Sequence, residues 1–243
     1  MEHNTDIVII SYNDKPELDR CIASIKEHCT AYNLLIEDNT PPLPNRGFTK
    51  AVNDGIRKGS APYVWLLNSD AIVLPGALEG LIHRMQYHEK VGIVGSMQLD
   101  YEDRDMIRCG GVYPQPMMGG RHRGGRISMG HWRIPEKQTW QNFASVLLRR
   151  SMIDQVGLLD ESMFLICSDS SYCYTVRQAG WECWYEPSSK VVHGLKASKH
   201  GSEWHLKDTL AYMDKWGVSY ERDGDKIRIT GIPRDYVKLN QFP

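Results

Sequence analysis

The sequence predicts an α/β fold on a mostly parallel central sheet flanked by helices, and three observations predict it. Short apolar runs alternate with segments of helical spacing through the first hundred residues. The runs are continuous rather than alternating, as expected of strands covered on both faces. Strands alternating with helices give a parallel sheet, and here three of the runs end in polar residues, on the side where such sheets bind ligands.

Ile7-Val8-Ile9-Ile10 is the first strand. Asp14-Lys15-Pro16-Glu17 reads as a capping box with Pro in the first turn, and Leu18, Cys21, Ile22, Ile25 and Cys29 follow at helical spacing. Asn33–Ile36 is a second strand, and the proline-rich stretch 41–44 is a loop. A helix over about Thr49–Lys58, a strand at Tyr63–Leu67, a helix after Pro75 and a strand at Val91–Gly95 complete the first half. Residues from about 100 to 139 show no clear period. A strand at Asn142–Leu148, a helix at Ser168–Ala179, short strands near Trp181–Tyr185 and Lys190–His193, a helix near Ser202–Lys215 and a hairpin around Asp223-Gly224 follow.

The 243 residues, 41% of them apolar, can bury a core in one domain or two fused halves. A formal net charge of -1 provides no global attraction to nucleic acid or to a membrane. No apolar run approaches the roughly 18–20 residues that span a bilayer, and the polar N-terminus does not read as a signal peptide. A cytoplasmic protein, or one peripheral at the membrane, is expected. The six cysteines form no C-x-x-C pair and read as small apolar fillers.

The polar strand ends are Ser11-Tyr12-Asn13, Asp38-Asn39 and Asn68-Ser69-Asp70. The first strand-to-helix turn has no glycine, so a dinucleotide-binding turn is excluded, and there is no P-loop. A diphosphate must be held otherwise, and a hard cation such as Mn²⁺ or Mg²⁺ on Asp70 can share phosphate oxygens.

Val8-Ile9-Ile10-Ser11-Tyr12-Asn13, Glu37-Asp38-Asn39, Asn45-Arg46-Gly47-Phe48 with Ala51 and Asn53, and Leu66-Leu67-Asn68-Ser69-Asp70 resemble family-2 glycosyltransferases, most of all their rhamnosyltransferase-like branch. Leu147–Arg150, Val156–Phe164, Ser168-Asp169, Arg177, Gly180 and Val192-His193 continue the pattern in order, so the resemblance covers about residues 5–195. It implies the GT-A fold, with a nucleotide-sugar-binding half over 1–100 fused to an acceptor-binding, catalytic half over 101–243. It implies an inverting transfer of a sugar from a nucleotide-diphosphate donor, with UDP as the expected nucleotide. The family pattern points to Asp38 for the nucleobase, Ser11 and Tyr12 for the nucleoside, and Asn45, Asn53 and Asn68 beside the sugar-nucleotide. Asp70 matches the last acid of the metal-binding D-x-D motif, while Asn68 stands where its first acid often sits. His193 matches a position near the metal or diphosphate. Asp169 matches the catalytic base, with Ser168 replacing the usual Glu.

Residues 119–126, Gly-Gly-Arg-His-Arg-Gly-Gly-Arg, read as a mobile basic loop. Arg121, Arg123 and Arg126, with Trp132, are candidates for gripping the diphosphate or an acceptor. The acceptor itself stays open among a glycan, a lipid-linked glycan, a small molecule and modified nucleic acid. A nucleotidyltransferase and a sugar-nucleotide-binding module without activity are the competing readings. Asn68 and Ser168 favour the latter, and the missing glycine-rich loop after the first strand weighs against the former.

Overall fold

A computed structural model of the chain describes residues 4–113, 121–194 and 202–239. The first half runs β1 (Thr5–Ser11), α1 (Lys15–His28), β2 (Tyr32–Asp38), α2 (Gly47–Lys58), β3 (Tyr63–Asn68), β4 (Ile72–Val73), α3 (Ala77–Tyr87) and β5 (Val91–Asp100). Then come β6 (Met106–Tyr113), β7 (Arg121–Ser128), β8 (Glu136–Gln138), β9 (Ser145–Arg149), α4 (Arg150–Val156), α5 (Ser168–Gln178) and β10 (Glu182–His193). The chain closes with α6 (Ser202–Lys215), β11 (Ser219–Asp223), β12 (Lys226–Gly231) and α7 (Arg234–Leu239).

The main sheet has the order β2-β1-β3-β9-β5-β10-β4. β1 is parallel to β2 and β3, and β5 is parallel to β10. β9 lies antiparallel between β3 and β5 and joins the two parallel sets. Burial explains the continuous apolar runs. Every position of β5 is buried, as are Val64–Leu67 of β3. One apolar cluster lies under α1 and α3, built on Ile7, Ile9, Trp65 and Leu81, and another lies against α2, α4 and α5, built on Val8, Leu66, Leu148 and Tyr174. Trp65 is fully buried, and its indole N–H donates to Ser145 Oγ at 3.1 Å.

The segment expected to lack a period holds the β6–β7 hairpin and β8. Glycines erase its alternation. A Cβ on Gly124 would fall 1.9 Å from the Arg108 carbonyl oxygen, so the hairpin strands approach there only without a side chain. The two short strands expected near 181 and 190 are one strand, β10, whose pairing with β5 shifts register between Glu186 and Lys190. β4, α4 and α7 are short and left no clear sequence signal.

The expected capping box does not form. Asp14 occupies the cap position of α1 without a side-chain cap bond, because its carboxylate is used elsewhere. It accepts from Ser11 Oγ at 2.6 Å and from the Tyr12 N–H at 3.1 Å, and it also takes the Ser69 hydroxyl. Asp14 therefore ties the end of β1 to the end of β3.

All six cysteines are free thiols, and all but Cys167 are buried. Burial pushes the thiols of Cys29, Cys109 and Cys167 up to about 12, which fits their reading as apolar filler.

Candidate active site

The carboxyl ends of β1, β2 and β3 form one rim because the strands are parallel and in register. Ser11 is level with Asp38, and Ile10 is level with Asn68. Tyr12 is exposed at this rim, and Asp38 is exposed with one oxygen accepting from the Thr40 N–H at 2.8 Å. Ser11 is buried, its hydroxyl already given to Asp14.

β10 delivers His193 to the same rim. Its Nε2 lies 3.3 Å from Asp70 Oδ1 and 3.2 Å from Asn68 Nδ2. Its Nδ1 lies 3.1 Å from Gln98 Oε1. Asp70 and His193 are both largely buried yet not sealed, with side-chain exposures of 12% and 17%. The sequence candidates Asn68, Asp70 and His193 thus converge, although they come from distant parts of the chain.

This pair fits a divalent cation. Two ligands in adjacent positions of an octahedral ion, with bonds of about 2.1 Å, lie about 3 Å apart. The Asp70–His193 spacing is close to that, and a carboxylate with an imidazole is a donor set suited to Mn²⁺. Among the described residues no three His, Cys, Asp or Glu groups converge on one point. The protein therefore offers this pair, and the remaining positions of such an ion would fall to phosphate oxygens and water.

Asp169 sits in the first turn of α5, after Cys167 in the left-handed conformation (φ 65°). Burial pushes its carboxyl up to about 6, even though nearby backbone N–H groups, that of Ser170 first, favour the charged form. The Ser170 bond is 2.7 Å. A carboxyl in that range ionises near neutral pH and remains basic enough to accept a proton.

The short segment Asn142–Ala144 joins these groups. The Asn142 side chain accepts from Gln98 Nε2 at 3.0 Å, and Gln98 faces His193. The Phe143 N–H reaches Asp169. The Ala144 carbonyl accepts from the Asn68 N–H at 2.9 Å. The sequence predicted a strand from Asn142, but pairing begins at Ser145 because the preceding residues bond to the site.

The loop leading to Asp169 is clamped from α6. The fully buried carboxylate of Asp208 accepts the N–H groups of Phe164, Leu165 and Ile166 at 2.8, 2.6 and 2.8 Å. Trp204 stacks on Phe164 with ring centroids 4.0 Å apart. Gly47 lies beneath the same ring at φ 80°, and a Cβ there would stand 2.5 Å from it. The glycine of Asn45-Arg46-Gly47-Phe48 thus has a steric reason. Asp208, Gln98 and Asn142 are not marked out by the sequence, and Asp14 only as a helix cap, since each resembles an ordinary polar residue until the fold gives it distant partners.

Some candidates lie elsewhere or serve packing. Asn53 is 1% exposed, and its amide bonds both the N–H and the carbonyl of Leu159 and one oxygen of Glu161. That bond holds the Glu161 carboxyl below the usual range. Asn53 therefore bolts α2 to the 159–161 turn and has no group left for a donor. Asn45 is exposed, its side chain accepting from the Gly47 N–H at 3.0 Å in a local turn.

Arg123 is not on a loop. It lies in β7, 6% exposed, with Nε donating to the Gly110 carbonyl at 2.9 Å, an ion pair to Glu136, and its guanidinium 5.4 and 5.5 Å from the rings of Trp132 and Tyr185. Trp132 is half-buried against it and serves packing. The side chains of Arg121 and Arg126 lie outside the described residues, as do positions 119 and 120.

The fold is that of the GT-A type glycosyltransferases. The chain belongs to the glycosyltransferase-like family 2, which it matches over residues 3–210, and it is a glycosyltransferase acting with a sugar-nucleotide donor. It is similar to the N-acetylglucosaminyl-diphospho-decaprenol L-rhamnosyltransferase of two Mycobacterium tuberculosis strains, 27% identical over an alignment of 230 positions, gaps included, that covers 77% of this chain and 75% of the relative. Among solved structures it resembles GalNAc-T7 with UDP, GalNAc and Mn²⁺, at a TM-score of 0.70 and 12% identity, covering 88% of this chain. The chain spans about half of that protein, 48% of its length. It also resembles the mannosyltransferase PcManGT of Pyrobaculum calidifontis in complex with GDP-Man and Mn²⁺, at a TM-score of 0.59 and 12% identity, covering 98% of this chain and 69% of that one. Among the described residues, no helix is long and apolar enough to cross a membrane.

Proposed function

We propose that this protein is an inverting glycosyltransferase that transfers a sugar from a nucleoside-diphosphate donor, UDP foremost, to an acceptor hydroxyl with a divalent cation held by Asp70 and His193. The carrying observation is the pairing of those two side chains at 3.3 Å on the rim where Asp38 and Tyr12 are exposed. Residues 1–100 would supply the donor side and residues 101–243 the acceptor side and the base. Asp38 and Tyr12 would receive the nucleoside. Asn68, bonded to His193, would keep its carboxamide beside the cation without adding charge. Mn²⁺ or Mg²⁺ bound there would stabilise the negative charge of the leaving diphosphate.

Asp169 would take the proton of the attacking hydroxyl, on the face of the anomeric carbon opposite the leaving group. A positioned base of this kind contributes about 10²–10⁴-fold. The name of the mycobacterial relatives supports a glycan on a lipid diphosphate as the first acceptor class to assay. Such an acceptor would bring the protein to a membrane surface as a peripheral enzyme.

Transfer or donor hydrolysis assayed with UDP-, GDP- and dTDP-sugars, with Mn²⁺ and with chelator, tests this reading. Metal-dependent turnover with one nucleotide and an inverted anomeric product is expected. Full turnover in chelator, or a retained configuration, contradicts it.

A further inference from the structure

We infer that Gln98 is a positioning residue that fixes the His193 ring with its Nε2 lone pair directed at the rim, and that Asn142 in turn sets the orientation of Gln98. The inference rests on the proposed role of His193 as a metal ligand.

The backbone N–H of Ala144 can only donate, and it reaches Asn142 Oδ1 at 3.0 Å. The same oxygen lies 3.0 Å from Gln98 Nε2, so the amide end of Gln98 must face Asn142. The carbonyl end of Gln98 then faces His193 Nδ1 at 3.1 Å, and an acceptor there requires the proton on Nδ1. Nε2 is left with its lone pair. Asn68 Nδ2, at 3.2 Å, meets it as a donor, while Asp70 Oδ1, at 3.3 Å, faces the same nitrogen as an acceptor, so a cation shared by the two satisfies both lone pairs.

Gln98 is costly to the fold unless it serves this purpose. β5 is buried at every position, and Gln98 itself is 3% exposed. Such a strand favours Val, Ile or Leu, and a buried carboxamide is tolerated only when its groups are bonded. In Gln98 the carbonyl oxygen bonds His193 and the amide bonds Asn142. Metal-binding histidines characteristically donate their other ring N–H to such an oxygen, and loss of that partner weakens metal binding by about 10–100-fold.

The test uses the full chain, with His193→Ala, Gln98→Leu, Gln98→Met and Asn142→Asp. Imidazole nitrogen NMR of the metal-free protein reads the His193 tautomer, assigned by the signal that His193→Ala removes. Mn²⁺ binding, followed by the EPR signal of free Mn²⁺ with UDP present and no acceptor, reads the metal. The expected results are Nδ1–H in the wild type, loss of the single tautomer in Gln98→Leu and Gln98→Met, and a fall in their Mn²⁺ affinity of about 10–100-fold. Asn142→Asp, which keeps the accepting oxygen, should retain both. A wild-type ring that lacks the Nδ1 proton overturns the inference even if no variant folds. Wild-type Mn²⁺ affinity in Gln98→Leu, with affinity lost in His193→Ala, overturns it and leaves the metal reading standing. Unchanged affinity in His193→Ala defeats the metal reading, and the tautomer then decides the role of Gln98.

Discussion

The carbonyl of Ala144 receives the N–H of Asn68 at 2.9 Å, and the N–H of the residue before it, Phe143, favours the ionised carboxylate of Asp169. Two consecutive residues thus lie between the proposed base on α5 and the end of β3.

Asp169 should control the pH profile. Its carboxyl is pushed by burial up to about 6, so it accepts a proton only once ionised. The rate under subsaturating substrate should rise with pH through about 6 and then level. Asp169→Asn should lose about 10²–10⁴-fold in kcat while retaining donor affinity. A near-normal kcat in this variant contradicts the assignment.

The same shift makes a stability prediction of opposite sense. The folded pKa lies above the ordinary 3.8, so between about 4 and 6 the folded state holds more protons than the unfolded one. Stability contributed by the neutral carboxyl is present below that window and lost as pH rises through about 6. Asn cannot ionise, so Asp169→Asn should gain stability relative to wild type between pH 4 and pH 8, on the order of 2 kcal/mol. Urea unfolding at the two pH values measures it; a constant difference would contradict it.

Asp208 should be a structural requirement of the site. Its carboxylate holds three consecutive N–H groups of the loop before Asp169. Asp208→Ala leaves three part-buried donors without their acceptor, at a cost of about 1–3 kcal/mol or more. Thermal unfolding should show a large drop in Tm. A variant as stable as wild type would mean that the loop finds other partners.

Asn53 and Arg123 separate packing from binding. Asn53→Ala should lower stability by about 1–3 kcal/mol, because the Leu159 backbone and Glu161 lose their partner. Arg123→Leu should likewise loosen the β6–β7 hairpin through the loss of Glu136 and Trp132 contacts. Both should retain donor affinity within about two-fold where folded, since neither offers a free group to a ligand. A selective loss of nucleotide binding in a stable variant would return that residue to the site.

Much of this was legible in the sequence because parallel sheets advertise themselves. Continuous apolar runs gave β1, β3 and β5, and the polar ends of β2 and β3 marked the proposed site residues Asp38, Asn68 and Asp70. His193 and Asp169 were legible only through the ordered family pattern. The β6–β7 hairpin was hidden because Gly124 is there for close approach, which removes the alternation that marks a strand. Asp208 and Gln98 were hidden for another reason. Their types are ordinary on a helix or strand surface, and only tertiary packing buries them against N–H groups or an imidazole. Asn53 misled because its family position suggested the donor, while its amide is consumed by the Leu159 turn.

The most direct test of the central claim is nucleotide binding by thermal shift, with UDP, GDP and dTDP, each with and without Mn²⁺, in wild type and Asp70→Ala. Occupancy at 100 times the dissociation constant adds about 2.7 kcal/mol, a visible rise in Tm. A Mn²⁺-dependent shift with one nucleotide, UDP, that disappears in Asp70→Ala is expected. An equal shift in Asp70→Ala, or none with any nucleotide, would contradict it.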